Sequence, residues 1–242
     1  TMALHKDVRR GIVEEQLRPD GRKLDEIRPL SSEVSVLPRT HGSSIFTRGV
    51  TQGLNIVTLA PLSYAQLVDT MEVNDGERRH MHHYNAPGYT VGEVRRLGSP
   101  GRREIGHGYL AERALIPVLP TEEEFPYAIR SVTEIMSQNG STSMAATCSS
   151  CLALMDAGVP IKRPVSGIAM GLMMDGDTPY ILHDIADAED FAGDMDFKVT
   201  GTSEGITAIQ MDMKLHGLPV EILKQAITGA KSGRAHILEH MI

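Results

Sequence analysis

Asn139-Gly-Ser-Thr-Ser-Met-Ala-Ala-Thr-Cys-Ser-Ser-Cys-Leu-Ala-Leu-Met-Asp-Ala-Gly158 is the stretch on which the fold turns. Met144, Cys148, Cys151, Leu152 and Met155 recur at helical spacing, and the positions between them are almost all Ala, Ser and Thr. A helix with small residues on every face is a buried helix. Gly158 and Pro160 close it. Its start is a run of hydroxyls, Ser141, Thr142 and Ser143, following Asn-Gly. Free N–H groups and the positive end of the helix dipole make such a start a ready anion site; the plainer alternative is an ordinary N-cap. The Cys-x-x-Cys pair lies inside the apolar run, which predicts two packed thiols rather than an exposed redox motif.

Downstream, residues 165–174, the turn Asp175-Gly-Asp177 and residues 180–185 predict a β-hairpin. Then comes Asp184-Ile-Ala-Asp-Ala-Glu-Asp-Phe-Ala-Gly-Asp-Met-Asp-Phe-Lys198. Asp194, Asp196 and Lys198 alternate with Met195, Phe197 and Val199, so a strand at 196–200 places two carboxylates and an ammonium on one face and Phe197 and Val199 in the core. Asp190 falls in a loop that can fold back towards Asp196. That set suits Mg²⁺ or Mn²⁺ held by a few oxygens; the alternative is a solvated acidic loop. A turn at 203–205 leads to a strand on which Thr207, Ile209, Met211 and Met213 alternate. From Pro219 an amphipathic helix carries Ile222, Leu223, Ala226, Ile227 and Ala230, with Gly233 interrupting it before residues 236–242.

Upstream, residues 1–17 form a helical lead-in with Val8, Ile12 and Val13 as its apolar points. Arg18-Pro-Asp-Gly-Arg22 is a turn. Strands are expected at 32–37, 44–47 and 54–59, with a hairpin loop at 39–43. Residues 77–84, which include His80, His82 and His83, are expected as a strand with outward polar groups rather than a metal site. Residues 85–108 contain six glycines and two prolines, a long shaped loop. It carries Arg95-Arg96 and Arg102-Arg103, whose planar guanidinium groups match phosphate oxygens; a solvated basic loop is the alternative. A helix from about 104 to 116 should present Arg102, Arg103 and His107 at its start, and a strand is expected at 127–136.

The totals exclude several classes. No apolar run in the 242 residues is long enough to span a bilayer, and the N-terminus lacks the build of a signal peptide, so a cytoplasmic location without membrane contact is expected. A net charge of −7 argues against non-specific coating of DNA but leaves room for a local basic groove. Aromatic residues are scarce and methionines number 13, so aliphatic and thioether side chains must fill the core. No G-x-x-x-x-G-K-[ST] motif is present, which removes a P-loop. If the arginine loop, the hydroxyl-rich helix start and the acidic strand converge, they form a phosphoryl-transfer site.

The segments Arg18-Pro-Asp-Gly-Arg22, Leu37-Pro-Arg-Thr-His-Gly-Ser43, His82-His-Tyr-Asn85, Gly98-Ser-Pro-Gly-Arg-Arg-Glu-Ile-Gly-His-Gly108, Ser137-Gln-Asn-Gly-Ser-Thr-Ser-Met144 and Gly193-Asp-Met-Asp-Phe-Lys198 together resemble the second ribonuclease-PH-like core of the bacterial polynucleotide phosphorylase family. The resemblance spans residues 18–240. It implies an α+β fold of two βαβ-type lobes, 18–164 and 165–242 after the lead-in, assembled as a homo-oligomeric trimeric or hexameric ring around an RNA channel. It implies phosphorolysis: inorganic phosphate attacks the 3′-terminal phosphodiester of single-stranded RNA and releases nucleoside diphosphates, reversibly. By position it makes Thr142, Ser143, Arg102, Arg103 and His107 phosphate-binding, and Arg102 and Arg103, with Arg95 and Arg96 in the same loop, RNA-binding. Asp190 and Asp196 become the metal ligands, with Lys198 beside them and Asp196 the most sensitive position. Asp194 fits the motif with a structural role open to it. Asp184, Asp187 and Glu189 are left structural or solvated.

Two departures stand out. Thr142 lies in a hydroxyl run where the family commonly has three serines, and Val50 stands where it usually has Glu, which alters a local salt bridge. Full-length members also carry a first core, a helical linker and KH and OB-type RNA-binding modules. This chain corresponds to one core, read either as a piece of such an enzyme or as a minimal enzyme. The rival readings are a non-catalytic, ring-forming RNA-binding scaffold in an RNA-degrading complex, and a metal-dependent phosphohydrolase of small substrates.

Overall fold

The computed structural model describes residues 2–69, 76–96 and 98–242. The hydroxyl-led helix is α3 (Thr142–Asp156); α1 (Met2–Arg10) and α2 (Arg102–Leu115) precede it, and α4 (Asp187–Ala192) and α5 (Val220–Met241) follow. Residues Thr142 to Leu154 of α3 are all buried, as its small side chains predict. It lies between two sheets. The first contains β1 (Leu30–Val34), β2 (Gly42–Arg48), β3 (Thr51–Ala60), β6 (His80–Asn85) and β7 (Ala128–Ser137) in the order β1-β2-β3-β7-β6. The second contains β8 (Ser166–Asp175), β9 (Thr178–His183), β10 (Met195–Gly201) and β11 (Ile206–Met213) in the order β11-β10-β8-β9. A two-stranded ribbon, β4 (Gln66–Val68) and β5 (Gly76–Arg78), stands apart.

Each sheet holds one crossover. β6 and β7 are parallel neighbours joined through α2. β9 and β10 both run antiparallel to β8, which lies between them, and α4 makes that connection. The small residues of α3 permit close approach on the first-sheet side. A Cβ on Gly42 would lie 2.3 Å from the Ala153 carbonyl oxygen, so β2 touches the helix backbone there. Ser44 Oγ donates to the Ser149 carbonyl at 2.6 Å. On the other side β8 comes against α3 at Gly167, where a Cβ would lie 2.6 Å from Met144 Sδ, and on the opposite face of that sheet Ile168, Met170, Leu172, Phe197 and Val199 share a core with Ile222, Ala226, Ala230 and Ile237 of α5. Cys148 and Cys151 are free thiols; burial pushes both up, Cys151 to about 12.

Four expectations change. α5 runs unbroken through Gly233, because that glycine lets the helix press against β8: a Cβ there would meet Ile168 Cδ1 at 2.4 Å. His80 and His82 do not point outward. They are 7% exposed, with His82 Nε2 within 2.9 Å of Ser150 Oγ on α3 and 3.1 Å of Thr133 Oγ1 on β7. Those partners offset the burial of His82, while both ring nitrogens of His80 are buried without one. Asp190 lies in helix rather than loop, since Ala186 starts α4 and Glu189 reaches back to accept its N–H at 2.7 Å. The strand expected at 32–37 is β1 at Leu30–Val34, ended by Ser35 at φ +54°; on β11, an edge strand, Ile209 and Met211 are 59% and 41% exposed. Val50 is exposed in the turn after β2.

Candidate active site

The start of α3 is held in place by the segment that leads into α4. Asn139 Oδ1 accepts from the Asp187 N–H at 3.3 Å, Ser141 Oγ donates to the Ile185 carbonyl at 3.1 Å, and Gly140, at φ +79°, lies against the Ala186 backbone. A Cβ at Gly140 would sit 2.9 Å from three atoms of Ala186 and Asp187, so only glycine fits there. Behind this contact lies a buried ion cluster. Asp184 takes both arms of Arg28 at 2.8 Å and Arg48 at 3.1 Å, and Glu189 takes both arms of Arg18 at 2.6 Å. Asp184 has φ +53°, a conformation that Asp tolerates better than most residues. Arg28 also donates to the Asn139 carbonyl at 2.5 Å, which ties the cluster to the helix start.

At the front, Tyr84 from β6 donates to Thr142 Oγ1 at 2.7 Å, and Thr142 Oγ1 lies 3.3 Å from His107 Nδ1 on α2. The Tyr84 and His107 rings meet edge-on at 5.1 Å. Burial, with Arg103 and Lys198 nearby, lowers His107 to about 4, so its imidazole is neutral at pH 7. Burial pushes Tyr84 up to about 12, keeping it a hydrogen-bond donor. Lys198 pairs with Asp196 on β10. Burial raises the Asp196 carboxyl, Lys198 opposes that, and Asp190 and Asp212 add to it. Asp187 is likewise raised by burial, against Arg103 and with Asp190. One continuous set thus runs from Tyr84 through Thr142, His107 and Lys198 to Asp196.

Two buried polar atoms in this set have no hydrogen-bond partner, Ser143 Oγ and Asp196 Oδ1. A buried polar group left open in this way needs an explanation, and an absent ligand is one. Among the described residues no three His, Cys, Asp or Glu side chains gather closely enough to hold an ion by themselves. A pair of carboxylates beside an anion site is the donor set that Mg²⁺ uses, since it keeps waters and shares substrate phosphates.

Thr142, His107, Arg103, Asp190, Asp196 and Lys198 are therefore linked by contact or charge, with Ser143 following Thr142 in α3 and Arg102 exposed beside Arg103 at the start of α2. Arg95 and Arg96 are exposed on the loop before α2, and Arg95 pairs with Glu93. Asp194 is turned to other work: it takes both arms of Arg9 at 3.0 Å and the Met174 N–H at 2.8 Å. Tyr84, Asp187 and Asp212 are additions. Tyr84 shares the inward period-two face with His80 and His82, and Asp212 is the cross-strand partner of Asp196. The alternation on β6 was the signal for Tyr84; nothing local to β11 marked Asp212.

Fold and site together define a class: an α+β core of two sheets on one buried helix, with a hydroxyl-rich helix start and an acidic strand. Residues 26–160 match the 3′ exoribonuclease family, domain 1 (RNase PH), and the chain belongs to that family. It is 61% identical over 236 residues to a polyribonucleotide nucleotidyltransferase of Acholeplasma laidlawii, covering 98% of this chain and 33% of that protein. It is 59% identical over 237 residues to the one of Bacillus cytotoxicus, again covering 98% and 33%. The chain thus spans about a third of the length of these relatives. The solved structure of rice (Oryza sativa) Rrp46 is similar at a TM-score of 0.74 and 20% identity, covering 93% of this chain and 98% of that one; this likeness is one of fold. Among the described residues no helix is long and apolar enough to cross a membrane.

Proposed function

We propose that this chain is a catalytic core of a phosphate-dependent 3′-to-5′ exoribonuclease, which releases nucleoside diphosphates from single-stranded RNA and runs in reverse as a polymerase. The observation that carries this is the pairing of two open buried atoms, Ser143 Oγ at an anion-binding helix start and Asp196 Oδ1 on the acidic strand. Thr142, next to Ser143 in the chain, lies 3.3 Å from His107, and Lys198, the partner of Asp196, is among the charges that lower His107. The high identity to proteins named polyribonucleotide nucleotidyltransferase supports the same reading.

In this proposal the amides and hydroxyls of Thr142 and Ser143 hold inorganic phosphate, with Arg102 and Arg103 neutralising it and the RNA phosphates. A phosphate oxygen attacks the 3′-terminal phosphorus, the P–O3′ bond breaks, and the shortened RNA leaves through O3′. Neutral His107 offers a hydrogen bond without adding charge. Asp196, raised by burial, assists proton delivery to O3′. Asp190 and Asp196 would hold a divalent cation, Mg²⁺ or Mn²⁺, which supplies charge neutralisation on the phosphoryl oxygens. Arg95 and Arg96 extend the basic surface along the incoming strand. The core works in the cytoplasm as part of a trimeric or hexameric ring, with the RNA 3′ end and partners of an RNA-degrading complex as its macromolecular contacts.

The test is incubation of the folded protein with oligo(A), inorganic phosphate and Mg²⁺, together with its mass in solution. ADP release that needs phosphate and is lost in Asp196→Asn is expected. A folded ring that yields no ADP overturns the proposal. AMP release without phosphate would identify a hydrolase instead.

A further inference from the structure

The phosphate site opens on one side into a cleft of about 380 Å³ between α2 and β11. Arg102, Arg103 and His107, assigned above to phosphate, form its near wall. Its far part is different in kind. Leu110 and Ala208 make an apolar floor, and Tyr109 and Gln210 form the rim. The sheet register places Gln210 directly opposite Lys198, so both project from the same face of the sheet. Gln210 is exposed on that face, whereas Ile209, opposite Val199, projects from the other. Arg113 lies over the Tyr109 ring at 4.9 Å and donates to its Oη, which fixes that aromatic rim.

A cleft that is cationic at one end and apolar at the other, closed by one side-chain amide, matches a molecule with the same division. A nucleotide has it: phosphates, then a flat base whose faces are apolar and whose edge carries donors and acceptors. We propose that the α2–β11 cleft receives the nucleobase of the 3′-terminal nucleotide, and hence of the departing nucleoside diphosphate, with Gln210 bonding the base edge, Leu110 and Ala208 covering its face and Tyr109 at the rim. This rests on the phosphate-site assignment above. A single amide can turn over and present either a donor or an acceptor, so the cleft holds any of the four bases with little preference.

Calorimetric titration of the intact protein, in Mg²⁺, with ADP, pyrophosphate and inorganic phosphate tests this without turnover. ADP should bind more tightly than pyrophosphate. Gln210→Ala and Tyr109→Ala, both at exposed positions that the fold tolerates, should each weaken ADP by on the order of tenfold and leave pyrophosphate unchanged. ADP binding no tighter than pyrophosphate in the wild type overturns the base pocket while the phosphate site stands. Equal losses for ADP and pyrophosphate in the variants also overturn it, by placing these residues on the phosphate side. Unchanged ADP affinity with an altered mass in solution would make this face an interface between chains, again against the proposal. If inorganic phosphate itself fails to bind, the fault lies in the underlying site assignment and the pocket falls with it.

Discussion

Asp184→Ala should be among the most destabilising single changes in the molecule, and the ion cluster lets its size be worked out. The carboxylate is fully buried and bonds Arg28 through both oxygens at 2.8 Å, Arg48 at 3.1 Å and, more loosely, Arg22 at 3.6 Å. Burial alone would raise its pKa; Arg48 and Arg28 overcome that and hold it far below the carboxylate range. Without it, Arg28 and Arg48 keep no carboxylate within ion-pair distance among the described residues, although both stay buried. Removing one partner of a buried pair costs about 3–5 kcal/mol, because the remaining charge is stranded. At about 2–4 °C per kcal/mol for a chain of this size, melting should fall by roughly 10 °C. Scanning calorimetry at pH 7 measures this. Adding Arg48→Met to Asp184→Ala should recover part of the loss, since it removes a stranded charge, so the two changes should not add. The sign with pH is also set: a depressed carboxylate contributes stability above its unfolded pKa of about 3.9 and loses it as pH falls, so wild type and variant should converge in acid. A melting loss under about 2 °C, or simple additivity in the double variant, would refute the argument.

His80, His82 and His107 are held by burial at about 4, 3 and 4. The unfolded chain takes up protons below about 6.5 while the native state does not, so each should cost roughly 2 kcal/mol of stability by pH 5; a urea midpoint unchanged between pH 7.5 and pH 5 would contradict this. Gly42→Ala should destabilise by about 1–3 kcal/mol or more, because its Cβ would lie 2.3 Å from the Ala153 carbonyl and 2.6 Å from the Ala157 nitrogen; wild-type melting would show that β2 can move off α3. Tyr84→Phe removes the donor to Thr142 Oγ1 and should cost about 1 kcal/mol of stability together with a severalfold loss of phosphate affinity. Unaltered phosphate binding by calorimetry would mean that Thr142 is oriented without it.

By itself the sequence marked most of the strands and the long helices, though it read α4 as loop and broke α5 at Gly233. The small-sided run after Asn139-Gly-Ser announced a buried helix with hydroxyls at its start, and the alternation around Asp196 announced a strand with charge on one face. Both signals are local, because the periods of helix and strand are written in neighbouring residues. What only the tertiary structure decided is what each face meets. His82 is polar and yet buried, because Ser150 and Thr133 come to it from 68 and 51 residues away. Ile209 and Met211 are apolar and yet exposed, because no further strand of this chain pairs beyond β11 among the described residues. Asp184, Glu189 and Asp190 lie within seven residues, yet the first two face buried arginines whereas Asp190 acts on Asp196. Composition marks that stretch as acidic; which carboxylate is buried, paired or left open depends on the cations that the folded chain brings to it. The contact of Thr142 with His107 at 3.3 Å spans 35 residues, and no periodicity reaches that far.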